Sequence, residues 1–79
     1  MKFDFSNDAL KAIGKLDANT AGRIFKGIME LPDKGDIKPL DGKHTGQYRL
    51  RIGDWRIIYK VENNIVLVGH ISPRGDAYK

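Results

Sequence analysis

Residues 48–59 limit the possible folds of this chain most strongly, because they predict a tight antiparallel hairpin. Apolar residues alternate with arginines on both sides of Gly53-Asp54, a dipeptide that suits a two-residue hairpin loop. Such a loop also sets the pairing of the two strands. The predicted pairs are Ile52 with Trp55, Arg51 with Arg56, and Arg49 with Ile58.

This pairing brings three arginines, Arg49, Arg51 and Arg56, to one face of the predicted sheet. Like charges directly opposite each other on paired strands are unfavourable. We expect no acidic residue near them on that face, so the arginines are predicted to serve an anionic ligand, with phosphate as the first candidate. The alternative interpretation is a solvated arginine face that binds no ligand.

Length and composition exclude several classes of protein. The 79 residues are expected to form a single domain, residues 1–79, with one modest core. The absence of cysteine excludes disulfides and thiol catalysis, and it favours a reducing cytoplasm. No apolar run approaches the roughly 20 residues that cross a bilayer, so we expect a cytoplasmic protein without a membrane partner. No carboxylate pair or histidine cluster supports a metal site, and we expect no cofactor.

The positive charge is concentrated in the second part of the chain. Residues 1–42 carry seven basic and seven acidic side chains, whereas residues 43–79 carry seven basic and three acidic ones. The net charge of +4 therefore lies entirely in the predicted sheet and the residues around it. Four of the five arginines lie there too, and guanidinium suits phosphate oxygens and stacks on bases. This distribution indicates a nucleic-acid partner.

Two helices are predicted between a short first strand, residues 2–5, and the hairpin. Ser6 is expected to cap the first helix and Thr20 the second, and Pro32 should end the second. Helical spacing predicts which side chains face the core. These are Ala9, Leu10, Ile13 and Leu16 in the first helix, and Ile24, Phe25, Ile28 and Leu31 in the second.

Residues 32–46 are predicted to form a long connection without regular structure. Connections of this length are unusual in a compact domain and often carry function, although a flexible spacer is the plain alternative. Gly42-Lys43-His44-Thr45 superficially resembles a phosphate-binding loop. The spacing that a nucleotide triphosphatase requires is missing on both sides, so we reject that interpretation.

The remaining pattern predicts an α+β fold. Asn63-Asn64 should form a second tight turn before a further strand, residues 65–71. Two N-terminal helices are expected to pack on one face of a small, largely antiparallel sheet, and the arginines should line the other face. Alternation assigns these residues to the helix-packed face: Tyr48, Leu50, Ile52, Trp55, Ile57, Tyr59 and Val61.

The hairpin, Pro39-Leu40-x-Gly42 before it and Arg74-Gly75-Asp76-Ala77-Tyr78-Lys79 at the end together resemble the RelE/ParE toxin superfamily. These are small toxins of bacterial type II toxin–antitoxin modules, and the resemblance is closer to the RelE branch. It implies a RelE-like fold and an endoribonuclease, an mRNA interferase, that cuts mRNA in the ribosomal A site through the 2′-hydroxyl and without a metal. It also implies three partners: the ribosome, mRNA and a cognate acidic antitoxin of the RelB type.

The resemblance assigns roles to individual residues. Arg56 and Arg74 are expected to stabilise the charge that builds up on the phosphoryl oxygens. Tyr78 would stack on a base or align the nucleophile, and Arg49 and Arg51 would bind flanking phosphates. Arg51 also belongs to the predicted catalytic set, which is Arg51, Arg56, Arg74 and Tyr78. The predicted RNA-binding residues are Arg49, Arg51, Lys43, Lys60 and Lys79.

The general base has no assignment from the sequence. Some relatives have lysines at the positions of Arg49 and Arg51, and arginine cannot accept a proton near neutral pH. His70 has suitable chemistry, but alternation predicts it on the helix-packed face beside Ile57, which favours a core histidine. His44 is expected to be a loop residue.

Two other functions stay open at this stage. One is a non-enzymatic inhibitor of DNA gyrase, as in the ParE branch, which acts by binding. The other is an attenuated relative that only binds RNA or an antitoxin. The terminal Arg74 and Tyr78 and the basic hairpin favour the enzyme, because a gyrase-binding protein does not need a cradle for a scissile phosphate.

Overall fold

Five strands and two helices form the fold, and the computed structural model describes residues 2–42 and 46–73. The strand order is β1-β5-β4-β3-β2, in which only β1 and β5 run parallel. The predicted α+β class with a largely antiparallel sheet is confirmed. Along the chain the elements are β1 (Lys2–Phe5), α1 (Asn7–Gly14), α2 (Ala18–Met29), β2 (Asp36–Pro39), β3 (Tyr48–Ile52), β4 (Trp55–Glu62) and β5 (Ile65–Pro73).

Side-chain oxygens cap both helices. Ser6 caps α1 as predicted: its Oγ accepts a hydrogen bond from the Ala9 amide at 3.1 Å and donates one to the Gly69 carbonyl at 2.7 Å. The predicted Thr20 cap of α2 is wrong. Asp17 takes that position, because its carboxylate accepts hydrogen bonds from both the amide and the hydroxyl of Thr20.

The core lies between the two helices and one face of the sheet. Two helix residues predicted to face the core are wrong, because Leu10 and Phe25 are 52% and 38% exposed, and the sheet residues Tyr48 and Val61 of the same prediction are also exposed. Phe25 still meets the ring of Phe5 edge to face, at 5.8 Å between centroids. Tyr59 is buried and stacks on Tyr48, and burial raises the pKa of its hydroxyl. The largest fully buried side chains are Ile24, Ile28, Leu50, Ile57, Val66 and Val68.

The prediction of an unstructured connection over residues 32–46 is wrong in part. Asp36–Pro39 forms β2, which pairs antiparallel with β3 and makes one edge of the sheet. Its register sets Asp36 opposite Arg51 and Lys38 opposite Arg49. The missed strand therefore brings a carboxylate to the arginine side of the sheet.

The hairpin has the predicted register. Ile52 pairs with Trp55, and Arg51 pairs with Arg56 across the two-residue loop. Gly53 has a φ of +57°, a conformation that glycine adopts without a steric penalty. The second turn is also confirmed, since Asn63 and Asn64 both have positive φ. The sheet face opposite the helices, which carries Arg49, Arg51 and Arg56, is called the open face below.

A β-bulge between β4 and β5 changes the side of the sheet on which His70 lies. Ile58 pairs with His70, whereas the next residue, Tyr59, pairs with Val68, so Gly69 is an extra residue on β5. The prediction of a core His70 beside Ile57 is therefore wrong. His70 is exposed and shares the open face with Ile58, because strict alternation does not hold through a bulge.

Candidate nucleic-acid interface

Two rows of side chains cross the open face in the region of the hairpin. Neighbouring strands lie about 4.8 Å apart, so residues paired across them bring their side chains together. The first row contains Asp36, Arg51, Arg56 and Ser72, and the second contains Lys38, Arg49, Ile58 and His70. The predicted convergence of the three arginines on one face is thus present in the structure.

Arg51 and Arg56 form the centre of this surface. They lie directly opposite each other on β3 and β4, and each carries a positive charge near neutral pH. The Arg51 Nε donates a hydrogen bond to the Gly53 carbonyl at 3.3 Å, which orients the guanidinium toward the hairpin turn. Arg56 is half-buried. Two guanidinium groups at directly opposed positions produce a local positive field that suits an anion.

The expectation that no acidic residue lies near these arginines is wrong. Asp36 forms an ion pair with Arg49, with 3.5 Å between Oδ1 and Nη2. The Arg49 side chain is only 11% exposed, whereas that of Asp36 is 62% exposed. Arg49 therefore contributes to the packing of the sheet as well as to its charge.

His70 and Ser72 are two polar residues of the open face that sequence reasoning did not place there. His70 is a diagonal neighbour of Arg56, a relationship that corresponds to about 7–8 Å between positions. Ser72 lies directly opposite Arg56 and is buried, and its Oγ has no hydrogen-bond partner within the described part of the chain. No signal in the sequence marks the bulge apart from Gly69 itself, because glycine inside a strand often accompanies one.

The predicted site residues are placed only in part. Lys60 lies on the open face, where its ammonium is 3.4 Å from the Glu62 carboxylate and both side chains are about half exposed. Ion pairs this exposed contribute little to stability. The predicted residues Lys43, Arg74, Tyr78 and Lys79 lie outside the described residues.

A pocket of about 310 Å³ opens on the same face, next to the second row. It extends over β1, β4 and β5 at the position of the bulge. Ile58 and Leu67 contribute apolar surface to it. Its polar lining includes Asp4, Gln47 and Lys60.

The described part of the chain contains neither a cluster of metal-ligating residues nor a membrane-spanning helix. Within residues 2–42 and 46–73, no three histidine or carboxylate side chains are grouped so that they could hold a metal ion. Neither α1 nor α2 has the length and apolar character of a membrane-spanning helix.

Several solved toxin–antitoxin complexes contain a chain with the same fold. A chain of the archaeal RelE–RelB complex from Pyrococcus horikoshii is 30% identical, with a TM-score of 0.74, and the match covers 96% of this chain and 97% of that one. The RelB–RelE complex from Methanococcus jannaschii gives 26% identity and a TM-score of 0.77, with 95% and 94% covered. The RelBE2 complex from Mycobacterium tuberculosis gives 20% identity and the same TM-score, with 92% and 96% covered.

The sequence itself matches one family model over almost its whole length. The family is the ParE toxin of the type II toxin–antitoxin system parDE, and the match spans residues 3–78. A comparison with curated protein sequences finds no significant match. The matched region contains β1, both helices and the complete arginine hairpin. The chain therefore belongs to the ParE toxin family of type II toxin–antitoxin systems, within the RelE/ParE superfamily.

Proposed function

We propose that this toxin is a ribosome-dependent endoribonuclease that cuts mRNA in the A site. The observation that carries the proposal is the pair of opposed arginines, Arg51 and Arg56, on the sheet face opposite α1 and α2. Opposed guanidinium groups concentrate positive charge at one place, and a phosphodiester is an anion whose oxygens suit the planar fork of arginine.

The proposed reaction is attack of a ribose 2′-oxygen on the adjacent phosphorus. The new P–O2′ bond forms while the P–O5′ bond breaks, so the products end in a 2′,3′-cyclic phosphate and a 5′-hydroxyl. Negative charge builds up on the non-bridging oxygens during this step. Guanidinium groups of Arg56 and Arg51 already aimed at that charge would stabilise the transition state more than the ground state. Arg74 and Tyr78 keep the roles that the sequence resemblance implies.

His70 is our candidate for the group that accepts the 2′-hydroxyl proton. Arginine cannot do this near neutral pH, whereas imidazole can. The exposure of His70 and its diagonal position relative to Arg56 support the assignment. A proton acceptor and charge-stabilising groups would then lie around one phosphate.

We also propose that a cognate antitoxin covers this surface. The relatives from Pyrococcus horikoshii and Methanococcus jannaschii were solved as RelE–RelB complexes. A net charge of +4, concentrated in the second part of the chain, would attract an acidic antitoxin segment. The proposed place of action is the cytoplasm, where ribosomes translate mRNA.

A binding function is the second candidate, and the family match favours it. The matching family model is that of the ParE toxin, and the resemblance to the ParE branch implies an inhibitor of DNA gyrase. An inhibitor of this kind needs a basic surface but no proton acceptor. His70 beside Arg56 therefore favours the nuclease.

The two functions give opposite results in a pair of assays. Purified protein is added to ribosomes programmed with a defined mRNA, and primer extension maps any cut. We expect cuts in the A-site codon, with 5′-hydroxyl ends, and no effect on DNA supercoiling by gyrase. Inhibition of supercoiling without mRNA cleavage would contradict the proposal and support the gyrase inhibitor. Ribosome binding without cleavage would indicate an attenuated relative.

A further inference from the structure

The pocket next to the arginine rows has polar groups on two sides of an apolar floor. Asp4, Leu67 and Lys60 lie in one row across β1, β5 and β4. Asp4 and Lys60 are separated by two strand spacings, about 10 Å. Asp4 thus lines the pocket on one side and Lys60 on the other, with Leu67 between them.

Asp4 is already oriented by its own backbone. Its Oδ1 accepts a hydrogen bond from the Phe5 amide at 2.9 Å. An ionised carboxylate is an acceptor with room for further hydrogen bonds, and it can take two donors at once. On the opposite side of the pocket, the Gln47 amide can supply donors, and the Lys60 ammonium has three N–H donors, of which its ion pair with Glu62 needs only one.

Gly69 lines the pocket, although the backbone does not require glycine there. Its φ lies outside the left-handed region, and an added Cβ would meet only the Ile58 carbonyl oxygen, at an ordinary 3.8 Å. A side chain would therefore be tolerated sterically at Cβ, at a position that lines the pocket. Glycine inside a strand accompanies a bulge, as it does here, and it also occurs where a ligand approaches closely.

The size and position of the pocket fit one base of an RNA strand. A volume of about 310 Å³ is at the low end of the range for small-molecule sites, which suits a single flat ring system. Ile58 belongs both to this pocket and to the row of Arg49 and His70. The row of Arg51 and Arg56 lies two residues along the strands from the row of Ile58, a distance of about 7 Å. A base in the pocket would therefore leave its phosphate near these arginines.

We propose that this pocket binds a guanine base of the RNA substrate. Guanine presents two N–H donors, N1 and N2, that match the Asp4 carboxylate, and its O6 and N7 acceptors face away toward Lys60 and Gln47. Adenine would turn an acceptor toward the carboxylate, and uracil lacks an amino group. This inference rests on the proposed function, because that function makes RNA the source of the base. Binding of the base can be measured without cleavage.

The experiment titrates the protein with GMP, IMP, AMP and UMP and follows the backbone amides of Leu67, Val68 and Gly69 by NMR. IMP differs from GMP only by the missing N2 amino group. We expect GMP to bind about tenfold more tightly than IMP, since each good base contact contributes about that factor or more. All four nucleotides should perturb the arginine rows equally through their phosphates.

Variants separate recognition from folding. Asp4→Asn keeps Oδ1 for the Phe5 amide but loses the charge, so GMP and IMP should bind equally. Asp33→Asn, in the turn after α2, makes the same change in charge away from the pocket and should bind like wild type. Gly69→Leu should fill the pocket and abolish the preference for GMP, and melting temperatures would verify that each variant is folded.

The results distinguish failure of the guanine pocket from failure of the proposed nuclease function. Equal binding of GMP, IMP and AMP by the wild type, or an unchanged GMP preference in Asp4→Asn, would overturn the pocket assignment, even if mRNA is cleaved. A clear GMP preference in a protein that cleaves no ribosome-bound mRNA would support the guanine pocket and contradict the nuclease alone.

Discussion

Arg49 of β3 and Asp36 of β2 form an ion pair at the edge of the sheet, with 3.5 Å between Nη2 and Oδ1. The pair links the edge strand to the surface that carries the arginines. Because the Arg49 side chain is mostly buried and that of Asp36 is mostly exposed, the arginine has a structural role that the sequence did not predict. Asp36 also offsets part of the positive charge of the open face.

Replacing Asp36 should therefore affect stability and RNA binding in opposite directions. We expect Asp36→Asn to lower the free energy of unfolding by less than about 1 kcal/mol, since the pair is partly exposed. The affinity for ribosome-bound mRNA should rise, because one negative charge leaves a surface that contacts phosphates. Denaturant melts and binding at several salt concentrations measure both effects. Asp33→Asn is the charge-matched control. Equal gains in affinity in Asp36→Asn and Asp33→Asn would show that only the net charge matters.

Gly27 of α2 lies against Ile52 of β3. A Cβ on Gly27 would clash with the Ile52 Cδ1, whereas a Cβ on Gly22 of the same helix meets nothing within 4 Å. Both glycines weaken the helix by up to about 1 kcal/mol relative to alanine. We expect Gly22→Ala to be stabilising and Gly27→Ala to be less stable than Gly22→Ala by about 1–3 kcal/mol, because the contact with Ile52 becomes overpacked. Equal stability of the two variants in thermal melts would show that the close approach is not a constraint.

The sequence predicted the elements whose signals are local. Gly53-Asp54 between alternating strands defines the register of the hairpin, and Ser6 is followed at once by a helical pattern. The Thr20 cap was wrong because Asp17, three residues earlier, offers a stronger acceptor to the same turn. β2 was missed because four residues, one of them proline, carry almost no alternation and gain their pairing only from β3.

The candidate site was predictable only where strict alternation holds. Arg49, Arg51 and Arg56 share a face as expected, since no irregularity separates them. His70 was assigned to the wrong face because the bulge adds one residue to β5, and a count of alternate positions cannot detect an added residue. The charge balance of the site also depended on Asp36, which is distant in sequence from the hairpin and reaches it only through sheet pairing.

The cap at the start of α2 should make stability depend on pH in the acidic range. The hydrogen bond from the Thr20 hydroxyl, followed by that from the Thr20 amide, holds the pKa of Asp17 below its ordinary value of 3.8. Because the pKa of Asp17 is lower in the folded state, the stability that its charged carboxylate contributes is complete above pH 3.8. That stability is lost as the pH falls through the folded-state pKa. We expect Asp17→Ala to melt below wild type at neutral pH, and the difference to shrink under acidic conditions. A difference that stays constant down to strongly acidic pH would contradict the role of the carboxylate charge.

Arg56 provides the test of catalysis against structure. Arg56→Ala removes one of two opposed charges, so its free energy of unfolding should match wild type or exceed it by up to about 0.5 kcal/mol. Lys26→Ala on α2 is the matched control, because it removes the same charge from the helical side of the molecule. The control should bind and cleave like wild type.

The most direct measurement is single-turnover cleavage of ribosome-bound mRNA by wild type, Arg56→Ala and Lys26→Ala at saturating toxin, with melting temperatures from the same preparations. We expect Arg56→Ala to cleave about 10²-fold more slowly than the other two, because a charge-stabilising group aimed at the transition state is missing, and to remain folded. A folded Arg56→Ala that cleaves at the wild-type rate would contradict the assignment of the opposed arginines to the scissile phosphate. An unfolded Arg56→Ala would show that this arginine is structural.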